Sequence, residues 1–463
     1  MRIRRPISVM VRLGTLTAGF LLLAGSTRGA DGPVPAASPA RDSLLVGVAD
    51  RDITPERPVP MWGYGARHDR LSEGVLDPLK ARALVIRTGD QALAIVAMDL
   101  GRGPTPAMMT QIRAALGPRG INTVLVCGSH THHGPVIELT DEPGAGRGKF
   151  DDAVAYATRL PGRIVEAIVE ADGCARPAKM GWASRDLKLN RNRQTKRPEK
   201  PTDPRLTVLR FDPAEGGDAP PIAAIVHFTA HPVMTPEDVY KFSADYPGFL
   251  RGKVESELKA PCLFLQGAAG DQSANPPAGV RGAKAFGERL ADEAIDLARA
   301  ARAASPRSHS LGSAVDHFRF ESRVNFKGAL TFLVYSRAFF PELIRNFFRE
   351  MEDGIRAEVT TAVVDREVAF VGVPGEPFSQ HAVRLRQRAY IPCVLVLGYC
   401  NGHVLYLPTI EAASEGGYGA DPRVSPAALG SGEAIMDRAL IRVYSLLGKL
   451  PAPAPAQVAA GPK

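Results

Sequence analysis

Apolar residues in this chain gather into short, nearly continuous runs. Thr123-Val124-Leu125-Val126-Cys127, Ile222–Phe228, Cys262–Leu265, Val368–Val373 and Val394–Leu397 are such runs, and solid runs of this length read as strands covered on both faces. Ala83–Arg87 and Ala92–Met98 predict a hairpin about Gly89-Asp90, and Leu206–Phe211 predicts a further strand. Between them, Pro106–Leu116, Val154–Glu170 around Pro161, Gly282–Ala304 and Gly432–Leu447 predict helices. The alternation predicts an α/β fold with mixed sheets in one large domain over residues 43–450.

Five of the strands run straight into loops of Gly, Pro and reactive side chains. They lead into His130–Pro135, His231-Pro232, Gly267–Asn275, Pro374-Gly375-Glu376 and Gly398–Tyr406. Loops at one edge of a sheet converge on one site when the strands run side by side. The richest is Ser129-His130-Thr131-His132-His133-Gly134-Pro135. Unpaired imidazole is costly to bury, and histidine is the commonest metal ligand, so this loop reads as a site. An extended segment would place His130 and His132 on one side and turn His133 away. His231 also follows a strand, and the Pro374-Gly375 turn aims Glu376. These residues give a candidate metal site, since catalytic zinc takes three or four protein ligands and leaves room for water.

Composition narrows the partners. The formal net charge is +8, but residues 1–30 hold five arginines and no acid, which leaves +3 for the remainder. That is too little to argue for nucleic acid. The basic cluster of Lys188, Arg191, Arg193, Lys196, Arg197 and Lys200 reads as a solvated loop. Arg2, Arg4, Arg5 and Arg12 with the apolar run Leu13–Leu23 predict a signal peptide over 1–30 and an exported protein, periplasmic or secreted. A flexible leader is expected over 31–42 and a disordered Pro/Ala tail over 451–463. The five cysteines have no zinc-finger spacing; Cys127, Cys262 and Cys393 lie in apolar runs and read as packed thiols.

Several segments together resemble the neutral, non-lysosomal ceramidases. The opening Val46-Gly47-Val48-Ala49-Asp50-Arg51-Asp52-Ile53-Thr54-Pro55 with Met61-Trp62-Gly63-Tyr64 is similar to theirs. So are His130-Thr131-His132 with Gly134-Pro135, Ala230-His231-Pro232 with Ser243-Ala244-Asp245, and Gly270-Asp271-Gln272-Ser273-Ala274-Asn275. Val373-Pro374-Gly375-Glu376 and Gly398-Tyr399-Cys400-Asn401 with Tyr406 match the late segments, so the resemblance spans roughly residues 45–447 in one order. It implies a zinc amidase that cleaves the N-acyl bond of ceramide. His130, His231, Glu376 and Tyr406 would bind zinc, His132 would be the general base, and Arg191 and Tyr418 would stand by the developing oxyanion. Ser273 would help position substrate. The chain departs from the family at His133, where serine is usual, and around Tyr418, and no immunoglobulin-like C-terminal domain is expected after Leu447.

The segment Phe326–Met351 carries Phe326, Phe332, Tyr335, Phe339, Phe340, Phe347 and Phe348 around Pro341. It reads either as core packing or as an apolar lid that holds an acyl chain or touches a membrane surface. The function expected is a zinc-dependent hydrolase of ceramide or a related N-acyl lipid. The alternatives are a zinc hydrolase of another amide or ester, and a non-catalytic binding protein on the same fold.

Overall fold

The computed structural model describes residues 43–301 and 309–454. The expected signal peptide and leader, and the tail from 455, lie outside the described residues. The principal strands are β1 (Leu44–Asp52), β2 (Lys80–Thr88), β3 (Gln91–Met98), β4 (Thr123–Gly128), β5 (Arg176–Asp186) and β6 (Arg205–Pro213). They continue with β7 (Ala223–Phe228), β8 (Cys262–Gln266), β9 (Leu311–Phe320), β10 (Ile355–Val364), β11 (Val368–Gly372) and β12 (Cys393–Leu397). The first eight form one sheet in the order β8-β7-β6-β5-β1-β2-β3-β4, and the last four a second sheet in sequence order. The pairs β3/β4, β7/β8 and β11/β12 are parallel and the other neighbours antiparallel, so both sheets are mixed, as the alternation predicts.

The solid apolar runs have a direct cause. Along each, alternate side chains serve two different cores. Leu125, Ile225, Leu263, Phe370 and Leu395 meet in a layer between the two sheets. Their neighbours Val124 and Val126 face the helices α1 (Pro106–Leu116) and α2 (Asp151–Gly173). Val226 and Phe264 face α3 (Tyr246–Leu258) and α4 (Gly282–Ala300). Val371 and Val396 face α5 (Ala329–Ala338), α6 (Pro341–Met351), α7 (Ser379–Arg388) and α8 (Ser431–Leu446). The order of layers is therefore helix, sheet, sheet, helix. A polar residue in these runs faces a packed layer on either side and needs a partner within it, as His227 has in the Val396 carbonyl.

Helix α2 is longer at both ends than the periodicity suggests, and Pro161 sits inside it. Helix α4 ends at Ala300, four residues short of the predicted end. In Phe326–Met351, Pro341 starts α6 instead of bending one helix, as its fixed φ favours at a first turn. The cysteines are unpaired: Cys127, Cys262, Cys393 and Cys400 are buried and Cys174 exposed.

Candidate metal centre and substrate cavity

The five strand-end loops meet at the carboxyl ends of β4, β7, β8, β11 and β12. His130 takes the left-handed conformation, with φ of 68°, so the segment after β4 is a turn and not the extended stretch expected from the sequence. The side-chain placement nonetheless agrees with the expectation. His132 Nε2 lies 3.3 Å from His130 Nε2, while His133 turns away to Arg67, whose Nη2 donates to its Nε2 at 2.7 Å. Arg67 also donates to the His132 carbonyl, which clamps the turn. Gly63 lies beneath it: a Cβ there would come within 2.4 Å of the His132 ring.

His130 Nδ1 donates to the Gly101 carbonyl at 2.7 Å, and His231 Nδ1 to the Ala269 carbonyl at 2.7 Å. A carbonyl only accepts, so each ring carries its proton on Nδ1 and turns a lone pair out through Nε2. Those two Nε2 atoms are 3.0 Å apart, and Glu376 Oε2 is 3.1 Å from the one on His231 and 3.2 Å from the one on His130. Burial, the Arg193 charge and His130 push the His231 imidazole down to about 3, which keeps it neutral. Three lone pairs facing one another at van der Waals distance repel unless a cation lies among them. Backbone-anchored histidines of this kind are the usual support of a bound metal. The side chains of His130, His132 and His231 bring ligand atoms within 4.8 Å of one another, and the group has the donors to hold a metal ion.

Glu376 and Tyr406 are partners in a short parallel ribbon, Glu376–Pro377 with Tyr406–Leu407, which brings the carboxylate and the phenol to the cluster together. The Tyr406 hydroxyl accepts from Arg193 Nη2 at 3.0 Å, and the same Nη2 donates to His231 Nε2 at 2.8 Å. The arginine at the site is thus Arg193. Arg191 and Arg193 are both exposed and neither lines the cavity, but the Arg193 guanidinium reaches His231 and Tyr406. Asn192 Oδ1 accepts from the Gln194 and Thr195 amides, which turns the chain just after the strand that carries Arg191. The basic cluster expected as a solvated loop therefore gives one member to the site, while Arg197 pairs with Glu415 at 2.6 Å. Ser273 forms a backbone bridge to His231 and does not line the cavity.

Above the cluster opens a cavity of about 460 Å³. Its floor carries His130, His132, Glu376, Tyr406 and His403, and its wall carries Trp62, Tyr64, Phe339, Phe340, Leu343 and Phe347. Tyr418 stands at the mouth, 68 % exposed, with its ring 5.8 Å from that of Tyr406. Trp62 packs edge-on against His130, His132 and His403, and its indole donates to Glu138 Oε1 at 3.2 Å. Glu138 is held in turn by Arg102, which also bridges to Glu350. The segment 326–351 packs a core on one side and faces solvent on the other. Phe340, Phe347 and Phe348 are buried, whereas Leu330 is 74 % and Leu333 47 % exposed on α5.

No protein-family model and no curated protein sequence matches the chain. Among solved structures, it is similar to neutral ceramidase from Pseudomonas aeruginosa at 20 % identity and a TM-score of 0.72, covering 90 % of this chain and 76 % of that one. The chain has the fold of the neutral ceramidases. A ceramidase complexed with C2 is similar at 19 % identity and a TM-score of 0.69, covering 90 % of this chain and 77 % of that one. The ceramidase fold accounts for the order of the motifs. Sequence reasoning missed Arg193, His403 and Tyr399, whose ring stacks on His130 at 4.0 Å. All three lie within or beside segments already singled out, but no spacing distinguishes them from structural residues.

Proposed function

We propose that the protein is a zinc-dependent amide hydrolase of the ceramidase type, cleaving the N-acyl bond of ceramide or a related N-acyl lipid. The observation that carries this reading is the convergence of two backbone-anchored Nε2 lone pairs and a carboxylate at the floor of an apolar cavity. His130, His231, Glu376 and Tyr406 would hold the zinc. When bound, the ion would lower the pKa of a coordinated water to about 7 and polarise the amide carbonyl.

His132 differs from the two anchored histidines. Its Nδ1 is buried with no hydrogen-bond partner among the described residues, so neither ring nitrogen is committed to a carbonyl. Burial and the imidazoles of His130 and His231 hold its pKa well below the usual range, which keeps the ring uncharged, the form a general base must start from. In the proposed hydrolysis the water oxygen attacks the carbonyl carbon and His132 takes a water proton. The C–N bond then breaks, and His132 returns a proton to the leaving nitrogen. Arg193 and Tyr418 would answer the negative charge that develops on the carbonyl oxygen. A base free to exchange protons favours turnover over a purely binding role.

Leu330, Leu333 and Val334 are exposed on α5 beside the mouth, while Val334 also lines it. This favours contact with a lipid surface during substrate uptake. Among the described residues no helix is long and apolar enough to cross a membrane. The arginine-led apolar run at the N-terminus supports an exported enzyme. Metal analysis together with assays on N-acylsphingosine and on short N-acyl amines tests the reading. Stoichiometric zinc and preferential cleavage of the lipid are expected. Cleavage restricted to short amides or esters would replace the lipid reading with that of a general zinc hydrolase. Binding of the lipid without turnover would make the chain a binding protein.

A further inference from the structure

Cys127 and Cys400 have no part in the chemistry described above, yet the structure sets them opposite one another. They pair across an isolated antiparallel bridge, where the edge strand β4 of the first sheet meets the segment that follows β12 of the second. The bonds around them define the kind of pair. The Gly128 amide donates to the Tyr399 carbonyl and the Asn401 amide to the Val126 carbonyl, both at 3.0 Å. These two bonds flank Cys127 and Cys400, which makes them a non-hydrogen-bonded pair with side chains on one face and Cα atoms about 4.5 Å apart. That separation lies within the span of roughly 4.4–6.8 Å that a disulfide bridges. Both residues are buried in the same layer between the two sheets. Gly372 leaves room for the sulfur, since a Cβ there would come within 2.7 Å of Cys400 Sγ. Packing requires only a small apolar residue at each position, whereas a covalent bond requires cysteine at both. Cys262 and Cys393 supply the contrast: their ladder partners are Ala224 and Val368.

We propose that Cys127 and Cys400 are a modification site, joined by an intramolecular disulfide when the chain meets an external disulfide oxidant. The proposal goes beyond the hydrolase reading and does not rest on it. His130 stands three residues after Cys127 and Tyr406 six after Cys400, so the bond ties together the two loops that carry these side chains to the cavity floor. In the reaction, one cysteine thiolate attacks a sulfur of the external disulfide, which forms a mixed disulfide and releases one thiol. The second thiolate attacks the protein sulfur of that mixed disulfide, closes the Cys127–Cys400 bond and releases the other thiol. The two cysteines lose two protons and two electrons, and the external disulfide gains them. Burial, and after it the neighbouring Cys127 thiol, push the Cys400 thiol well above its usual range, so the packed protein holds little of the reactive thiolate. The exchange therefore runs on a partly opened chain, and packing afterwards shields the bond from reductant.

The test uses the full chain, purified in reduced form. It is held with oxidised glutathione in guanidinium just below its unfolding midpoint, so that the layer between the sheets opens to the oxidant. After the denaturant is removed, a brief treatment of the folded protein with dithiothreitol clears glutathione from the exposed Cys174. Alkylation in denaturant, followed by peptide mapping without reduction, then counts the thiols. Three alkylated cysteines and one cross-linked peptide pair joining Cys127 to Cys400 are expected, where the reduced protein gives five. The oxidised protein should also melt several degrees above the reduced one, because the bond restricts the unfolded chain. Cys400→Ala should abolish both the cross-link and the melting difference, and Cys262→Ala should keep both. If Cys400→Ala fails to fold, mapping of the wild type decides. Five alkylated thiols after oxidation, a cross-link between any other two cysteines in place of this one, or a melting difference that survives in Cys400→Ala would overturn the proposal.

Discussion

At the cavity floor, His130, His231 and Glu376 are each tied to backbone atoms of loops leaving three different strands. On the wall, α5 and α6 hold their place by apolar packing, with Phe326, Tyr335 and Phe348 ring against ring, and leave Leu330 and Leu333 in solvent. Directional bonds to the backbone fix a lone pair to within tenths of an ångström. Apolar packing fixes only shape and volume. Changes at His130, His231 and Glu376 should therefore alter the reaction by orders of magnitude with little effect on which substrate is chosen. Changes on the wall should alter the choice of substrate by a few fold or loosen the fold.

The largest effect is expected at His231. His231→Ala removes one of the three converging lone pairs, and metal content and hydrolysis should both fall to background in elemental analysis and in the lipid assay. Full metal content in this variant would count against the assignment. His132→Ala should come next. It should retain the metal and lose roughly a hundredfold or more in turnover, the cost of a missing general base. Loss of metal instead would make His132 a ligand, a role its distance to His130 allows. His133→Ala separates chemistry from scaffolding. Its ring accepts from Arg67 and is fully buried, so the variant should lower the melting temperature while the folded protein keeps most of its turnover.

That His132 and His133 point to opposite sides was legible in the sequence, though the geometry behind it was not. An extended strand and a clamped turn both separate neighbouring side chains, and only the positive φ of His130 shows which is used. The inner strands were equally legible, because side chains facing two packed layers leave few polar positions. Strands β5 and β9 were not, since both are largely half-exposed and carry Arg, Asp and Ser amid their apolar residues. The order of the motifs was readable because the residues expected to bind metal follow strands in the order of the ceramidases. Arg193 was hidden because Arg191 and Arg193 are two apart and a strand would place them alike. A side-chain turn at Asn192 separates them. His403 was hidden because what sets it apart, two buried nitrogens with no hydrogen-bond partner among the described residues, is not displayed by the sequence.

The smallest effects are expected on the wall, and two adjacent phenylalanines serve to measure them. Phe340 is 1 % exposed and packs against Phe150, with ring centroids 5.4 Å apart, whereas Phe339 is half-buried; both line the cavity. Phe340→Ser should cost on the order of 3 kcal/mol of stability, as other large-to-small core changes do. Phe339→Ser should leave the melting temperature almost unchanged and act on the substrate. Each methylene of an acyl chain that the wall covers gains about 0.8 kcal/mol, or roughly fourfold in kcat/KM. In the wild type, efficiency should therefore climb with acyl length until the cavity is filled. In Phe339→Ser the climb should be shallower by a few fold at the longest chains and identical at the shortest, because the floor is untouched. A parallel loss at every chain length would mean that Phe339 supports the floor, and would erase the division between the two regions. A wild-type profile flat across acyl lengths would remove the lipid from the wall altogether.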